Sequence, residues 1–148
     1  MSRNIGVVAA QVAPVPYDRE ATFASFERHV RTLASAFPNL DLYVFPEVYL
    51  TALGSWNDGY PAGYVESVAE PIGGSLTQRV SDLAREVGKW ILPGSIYEEA
   101  GGDIYNTALV FSPDGELVAT YRKIMPWMPY ETTKPGEELT VFDIPGVG

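Results

Sequence analysis

Two glutamates and a lysine hold the chemical interest of this chain: Glu47, Lys123 and Glu131. Glu47 follows four apolar residues and a proline, Leu42-Tyr43-Val44-Phe45-Pro46. In that setting a carboxylate is partly desolvated, which raises its pKa and suits it to take and return protons. Taken alone, it reads more readily as a solvated loop glutamate. Lys123, in Tyr121-Arg122-Lys123-Ile124, taken alone reads as a surface lysine, since lysines are mostly exposed. Glu131 stands eight residues after Lys123 and equally opens a polar loop, Thr132-Thr133-Lys134-Pro135-Gly136. Tyr49, Trp127 and Tyr130 are near these acids in sequence and either line an apolar pocket or fill the core.

The elements that must position these residues follow from periodicity. Residues 5–12 form a short apolar run bounded by turn formers, the pattern of a first strand buried on both faces. Asp18 can cap a helix whose apolar residues Phe23, Phe26, Val30, Leu33 and Phe37 recur at three- and four-residue spacing. Leu42 to Phe45 is a second strand that Pro46 ends, so Glu47 falls at a strand's carboxyl end. Residues 51–74 lack periodicity and read as a long loop, over a pocket mouth or at a subunit contact. Ser75 and Gln78 have the spacing of a capping box for a second helix carrying Leu76, Val80, Leu83 and Val87. Trp90-Ile91-Leu92 is a third strand, and residues 105–111 and 117–122 form a hairpin about the turn Ser112-Pro113-Asp114-Gly115-Glu116. Residues 139–144 look like a further strand. The order is that of an α/β fold, in which sites gather beyond the carboxyl ends of strands. Arg122 points opposite to Lys123 and is structural or a salt-bridge partner.

Composition narrows the function classes. Ten Lys and Arg against nineteen Asp and Glu give a net charge of −9, which disfavours nucleic acid as a partner. No segment approaches the roughly 20 apolar residues of a membrane helix, and the stretch 5–15, broken by Gln11 and Pro14, is not a signal peptide. With no cysteine there is no disulfide framework or thiolate metal site, and His29 alone does not build a metal centre. The absence of disulfides fits a cytoplasmic protein. Gly73-Gly74 lacks the lysine and spacing of a phosphate loop.

Phe45-Pro46-Glu47 and, in order behind it, Tyr121-Arg122-Lys123-Ile124 with Met125-Pro126-Trp127-Met128-Pro129-Tyr130-Glu131 resemble the nitrilase, or carbon-nitrogen hydrolase, superfamily. The resemblance implies an αββα sandwich, of which residues 1–148 would be the N-terminal part: one α/β layer with a mixed sheet, two helices and a hairpin. It also implies a glutamate–lysine–cysteine site with no cofactor and no metal. In it Glu47 is the general base, Lys123 stabilises the oxyanion and the cysteine follows the lysine along the chain. That cysteine is expected beyond Gly148, which would leave this chain inactive alone. Glu131, by its spacing and the Pro-Trp between, resembles the substrate-orienting glutamate of the amidase branch. Asn106 fits the family pattern too, although a strand-edge role is simpler. The expected partner is a small-molecule amide or nitrile, and the complete protein is expected to be a homo-oligomer. The alternative is a non-catalytic binding or assembly module that keeps half of the fold.

Overall fold

In the computed structural model, which describes residues 4–54 and 60–147, three short strands lie parallel: β1 (Val7–Ala9), β2 (Leu42–Val44) and β3 (Trp90–Leu92). Between them run the helices α1 (Arg19–Ala36), α2 (Tyr64–Val68) and α3 (Ser75–Val87). Antiparallel strands β4 (Ser95–Ala100), β5 (Asp103–Phe111) and β6 (Leu117–Arg122) complete the mixed sheet. Thr107 pairs with Ile96 on one side and Arg122 on the other, so β5 lies between β4 and β6. Phe111 pairs with Ile91 and joins this part to the parallel strands.

Strand alternation divides the side chains between two faces. Tyr43, Ile91, Ile96, Leu109 and Phe111 face the helices and pack with Phe26, Val80 and Leu83 in one core. Phe26 is fully buried, its ring 4.7 Å from that of Phe45 in a T-shaped pair. Asp18 caps α1 as expected, its Oδ1 accepting from Ala21 N at 2.9 Å. The stripe weakens towards its end: Phe37 is the half-exposed C-cap.

The opposite sheet face, with Val7, Ala9, Leu42, Val44, Trp90 and Leu92, is half-buried to exposed. This corrects the reading of the first strand as buried on both faces: Val7 is 47% exposed, because only the side carrying Val8 meets the core.

Four further expectations need amending. The Ser75–Gln78 capping box does not form; Gly74 is the N-cap and Ser75 already lies in α3. The helix start is served from a distance, by Glu70 Oε2 accepting from Leu76 N at 3.2 Å while Arg19 holds the other oxygen at 2.6 Å. The stretch 51–74, of which 55–59 lie outside the described residues, contains α2 and a bridge between Glu70 and Glu98. Strand β4 was not foreseen. Gly101 and Gly102, with φ of 62° and 86°, make the two-residue turn that joins it to β5. Residues 139–144 form no strand: Leu139 and Val141 are 84% and 90% exposed, and it is the side chain of Thr140 that bonds β6, at Thr120 O. Alternation without a backbone ladder does not make a strand. Among the described residues no helix is long and apolar enough to cross a membrane.

Candidate active site

Glu47 is aimed by a strained turn. After β2, Phe45 N still donates to Leu92 O, and then Pro46 ends the pairing. Val48 has φ of 48°, in the left-handed region that a β-branched residue rarely enters. Ser95 Oγ holds this turn by accepting from Val48 N at 2.9 Å, and Thr51 Oγ1 donates to Val48 O at 2.6 Å. Across from it Gly94, with φ of 95°, passes so close to Pro46 that an added Cβ would stand 1.8 Å from the carbonyl oxygen. Gly94→Ala is therefore expected to cost about 2–3 kcal/mol of stability, read as a lower urea midpoint.

Lys123 follows β6, its backbone fixed on both sides: its N–H donates to Asn106 O at 2.8 Å and its carbonyl accepts from Gly136 N at 2.9 Å. Its Nζ donates to Glu47 Oε1 at 2.9 Å and to Glu131 Oε1 at 2.7 Å. The second oxygen of Glu131 accepts from Trp127 N at 3.1 Å, within a turn that contains a cis Met128–Pro129 peptide. Desolvation pulls the Lys123 ammonium down, but the hydrogen bonds to Glu131 and Glu47 and their charges together outweigh it, and the net direction is up. Lys123 is thus held as a cation between two carboxylates.

The three ionisable residues singled out from sequence thus converge, on the sheet face away from the helices. Glu131 is nearly buried, with 10% of its side chain exposed, whereas Glu47 is 55% exposed. Of the two readings of Glu47 from sequence, the solvated loop glutamate is the nearer to this exposure. It borders an open cleft of about 340 Å³, with Phe45, Leu92, Tyr121 and Lys123 among the lining residues.

Asn106 belongs to the same cluster, contrary to the strand-edge role read for it. Its Nδ2 donates to Glu47 Oε1 at 2.7 Å. It sits in β5 beside Lys123, and only the β5–β6 register reveals this. Tyr49 lies in the core against Phe26 and Phe45, 1% exposed. Tyr130 lines a second pocket next to Glu131, together with Tyr60, Tyr64 and Tyr97. Trp127 packs on Tyr130 with ring centroids 4.8 Å apart, both rings largely exposed.

On the other face of the same strands, Arg122 grips Glu98 with two bonds of 2.9 and 2.6 Å. Thr107 Oγ1 adds a third at 2.6 Å, and the guanidinium lies 3.9 Å above the Tyr105 ring. Arg122 is a salt-bridge partner, as its position opposite Lys123 implied.

Comparison with known proteins places this geometry in context. The sequence model of the carbon-nitrogen hydrolase family matches residues 6–146. Human omega-amidase NIT2 is 32% identical, with 97% of this chain and 51% of that protein covered. Its mouse counterpart is 36% identical, with 96% and 51% covered. Saccharomyces cerevisiae Nit3, a member of branch 10 of the nitrilase superfamily, superposes with a TM-score of 0.76 at 25% identity, over 94% of this chain and 51% of its own. An amidase from Nesterenkonia sp. shares the fold, with a TM-score of 0.73 at 19% identity over 93% and 50%. The chain spans about half the length of the relatives it matches. A family match across nearly all of its residues, on a nitrilase-type fold, establishes that the chain belongs to the carbon-nitrogen hydrolase family.

Proposed function

We propose that this chain is the N-terminal part of an enzyme that hydrolyses a non-peptide amide, or a nitrile, through a glutamate–lysine–cysteine site whose cysteine lies beyond Gly148. The observation that carries the reading is the bridge from Lys123 Nζ to Glu47 and Glu131. A lysine held charged by two carboxylates is a fixed positive centre, suited to an oxyanion that develops in the transition state. Glu47 is the general base: among the described residues its bonds from Lys123 and Asn106 both fall on Oε1, which leaves Oε2 to carry a proton.

The steps for an amide follow. The thiol gives its proton to Glu47 as sulfur bonds to the carbonyl carbon, and the carbonyl electron pair moves to oxygen beside Lys123. Collapse of the intermediate expels ammonia, which takes the proton from Glu47, and leaves a thioester. Water then attacks the thioester, again losing a proton to Glu47; the carbon–sulfur bond breaks, the carboxylic acid leaves, and the departing sulfur takes the proton back from Glu47 as the thiol. Glu131 fixes Lys123 and orients the substrate, and Trp127 and Tyr130 flank it on the side of the substrate. Neither Glu47 nor Lys123 replaces the thiolate, and this chain has no cysteine.

The reading is tested by assaying amide hydrolysis with this chain and with a longer product that includes the downstream segment. Turnover only by the longer protein is expected; turnover by the 148-residue chain alone would overturn it. Within the longer protein, Asn106→Ala is expected to lower kcat/KM about tenfold, the worth of one hydrogen bond to a charged group, with little change in melting temperature.

A further inference from the structure

The pocket beside Glu131 is separate from the cleft that holds Glu47, and the proposed reaction uses only Glu131 and Tyr130 of its lining. It has a volume of about 170 Å³, room for about five or six waters' worth of liquid. Tyr60, Tyr64, Tyr97 and Tyr130 line it, with Glu131 and Glu66 as the charged members. Glu131 connects the two sites: the residue lines this pocket, and its Oε1 accepts from Lys123 Nζ at 2.7 Å. A molecule reacting beside Lys123 therefore has this pocket within reach of its other end.

We infer that this pocket receives the non-reacting end of the substrate and selects a short tail carrying an ammonium group over one carrying a carboxylate; the inference rests on the amide-hydrolase reading above. Among the described residues the lining includes two carboxylates and neither lysine nor arginine. The nearby cation, Lys123, already carries Glu47 and Glu131, so it has little charge to offer an anionic tail. A carboxylate would enter against Glu66 and Glu131 without a counter-ion, whereas an ammonium would meet aromatic faces that attract cations and carboxylates that accept from it. Tyr64 is held in place by its hydroxyl, which donates to Thr51 O at 2.7 Å, and by an edge contact with the Tyr17 ring, centroids 5.1 Å apart. Burial first, and then the charges and phenols around it, push the Tyr97 hydroxyl up. It stays neutral. Thr133 also lines the pocket. It is 5% exposed and, among the described residues, its buried hydroxyl has no hydrogen-bond partner, which leaves an unmatched polar group in the pocket wall.

Calorimetric titration of the 148-residue protein with 4-aminobutanamide, pentanamide and succinamate compares a cationic, a neutral and an anionic tail of similar length. The cationic amide is expected to bind about tenfold more tightly than the neutral one, and the anionic amide not to bind over the same range. Glu66→Gln is expected to narrow the gap between the cationic and neutral probes without a change in melting temperature, since Glu66 is exposed. Equal binding of all three, preference for succinamate, binding of none, or a gap unchanged by Glu66→Gln would each overturn the assignment. Binding needs no nucleophile, so these outcomes judge the pocket alone, while the turnover assay judges the hydrolase reading.

Discussion

Lys123→Met in the complete enzyme is expected to lower kcat/KM about a thousandfold, a loss of about 4 kcal/mol of transition-state stabilisation. Methionine keeps much of the stem and removes the charge, so the change falls on the interactions of Nζ. Two consequences combine. The oxyanion loses its positive partner, and Glu47 and Glu131, which share one ammonium at 2.9 and 2.7 Å, lose the cation between them. Arginine is not expected to restore activity, since its planar fork does not reproduce a point charge held between two acids. Lys123→Met also leaves Glu131, whose side chain is 10% exposed, without its ion partner, so the melting temperature should fall as well, and kcat/KM is compared at a temperature where both proteins stay folded. Activity within tenfold of the parent in Lys123→Met would remove Lys123 from the reaction.

The second large effect concerns the neighbouring residue and appears in stability. Arg122→Ala leaves Glu98, whose side chain is 5% exposed, without its ion partner. Breaking a buried pair typically costs 3–5 kcal/mol. Because Arg122 is itself 40% exposed, about 3 kcal/mol is expected at pH 7. The effect depends on pH with a definite sign. Burial pushes the Glu98 carboxyl up, but the Arg122 and Thr107 hydrogen bonds and the Arg122 charge pull it down further, so the net direction is down. The stabilisation it gives is complete above the unfolded carboxyl value of about 4.3 and is lost as pH falls through the folded value. In Arg122→Ala the burial effect is no longer opposed by the arginine, and acid relieves the stranded charge. The difference between parent and variant in urea denaturation should therefore shrink from pH 7 towards pH 4. A difference that stays constant or grows in acid would show that Glu98 is not the seat of the effect.

What could be read from the sequence was what local pattern encodes. Helix α1 followed from a stripe and a cap, and the β5–β6 hairpin from a turn sequence between two β-prone runs. Glu47 and Lys123, unremarkable when taken singly, were legible through two family motifs in order, each standing just after a strand. Asn106 was noticed only as part of the family pattern, and its bond to Glu47 was not legible, since it depends on a register between strands that no local window contains. Strand β4 was missed although Gly101-Gly102 between apolar and β-branched residues is a recognisable hairpin turn. The opposite error came at residues 139–144, where alternation suggested a strand but the backbone has no ladder to join. At α3 the local Ser75–Gln78 pattern lost to Glu70, placed at the helix start by its bridge to β4 and its pair with Arg19.

The alternation of β5 and β6 governs how this family member can vary in length. Asn106 and Lys123 face one side, and Thr107 and Arg122 the other. One residue inserted between these positions and the nearest turn would exchange the two sets, presenting Arg122 to Glu47 and driving Lys123 against Glu98. Insertions here are tolerable in pairs, or where a bulge absorbs them. The β5–β6 ladder already contains such a place, the register shift between Val110 and Phe111 at its turn end, remote from both clusters. Descendants of this chain can thus lengthen or shorten the turns at 101–102 and 112–116, while the count of residues across the strands between them is held to its parity.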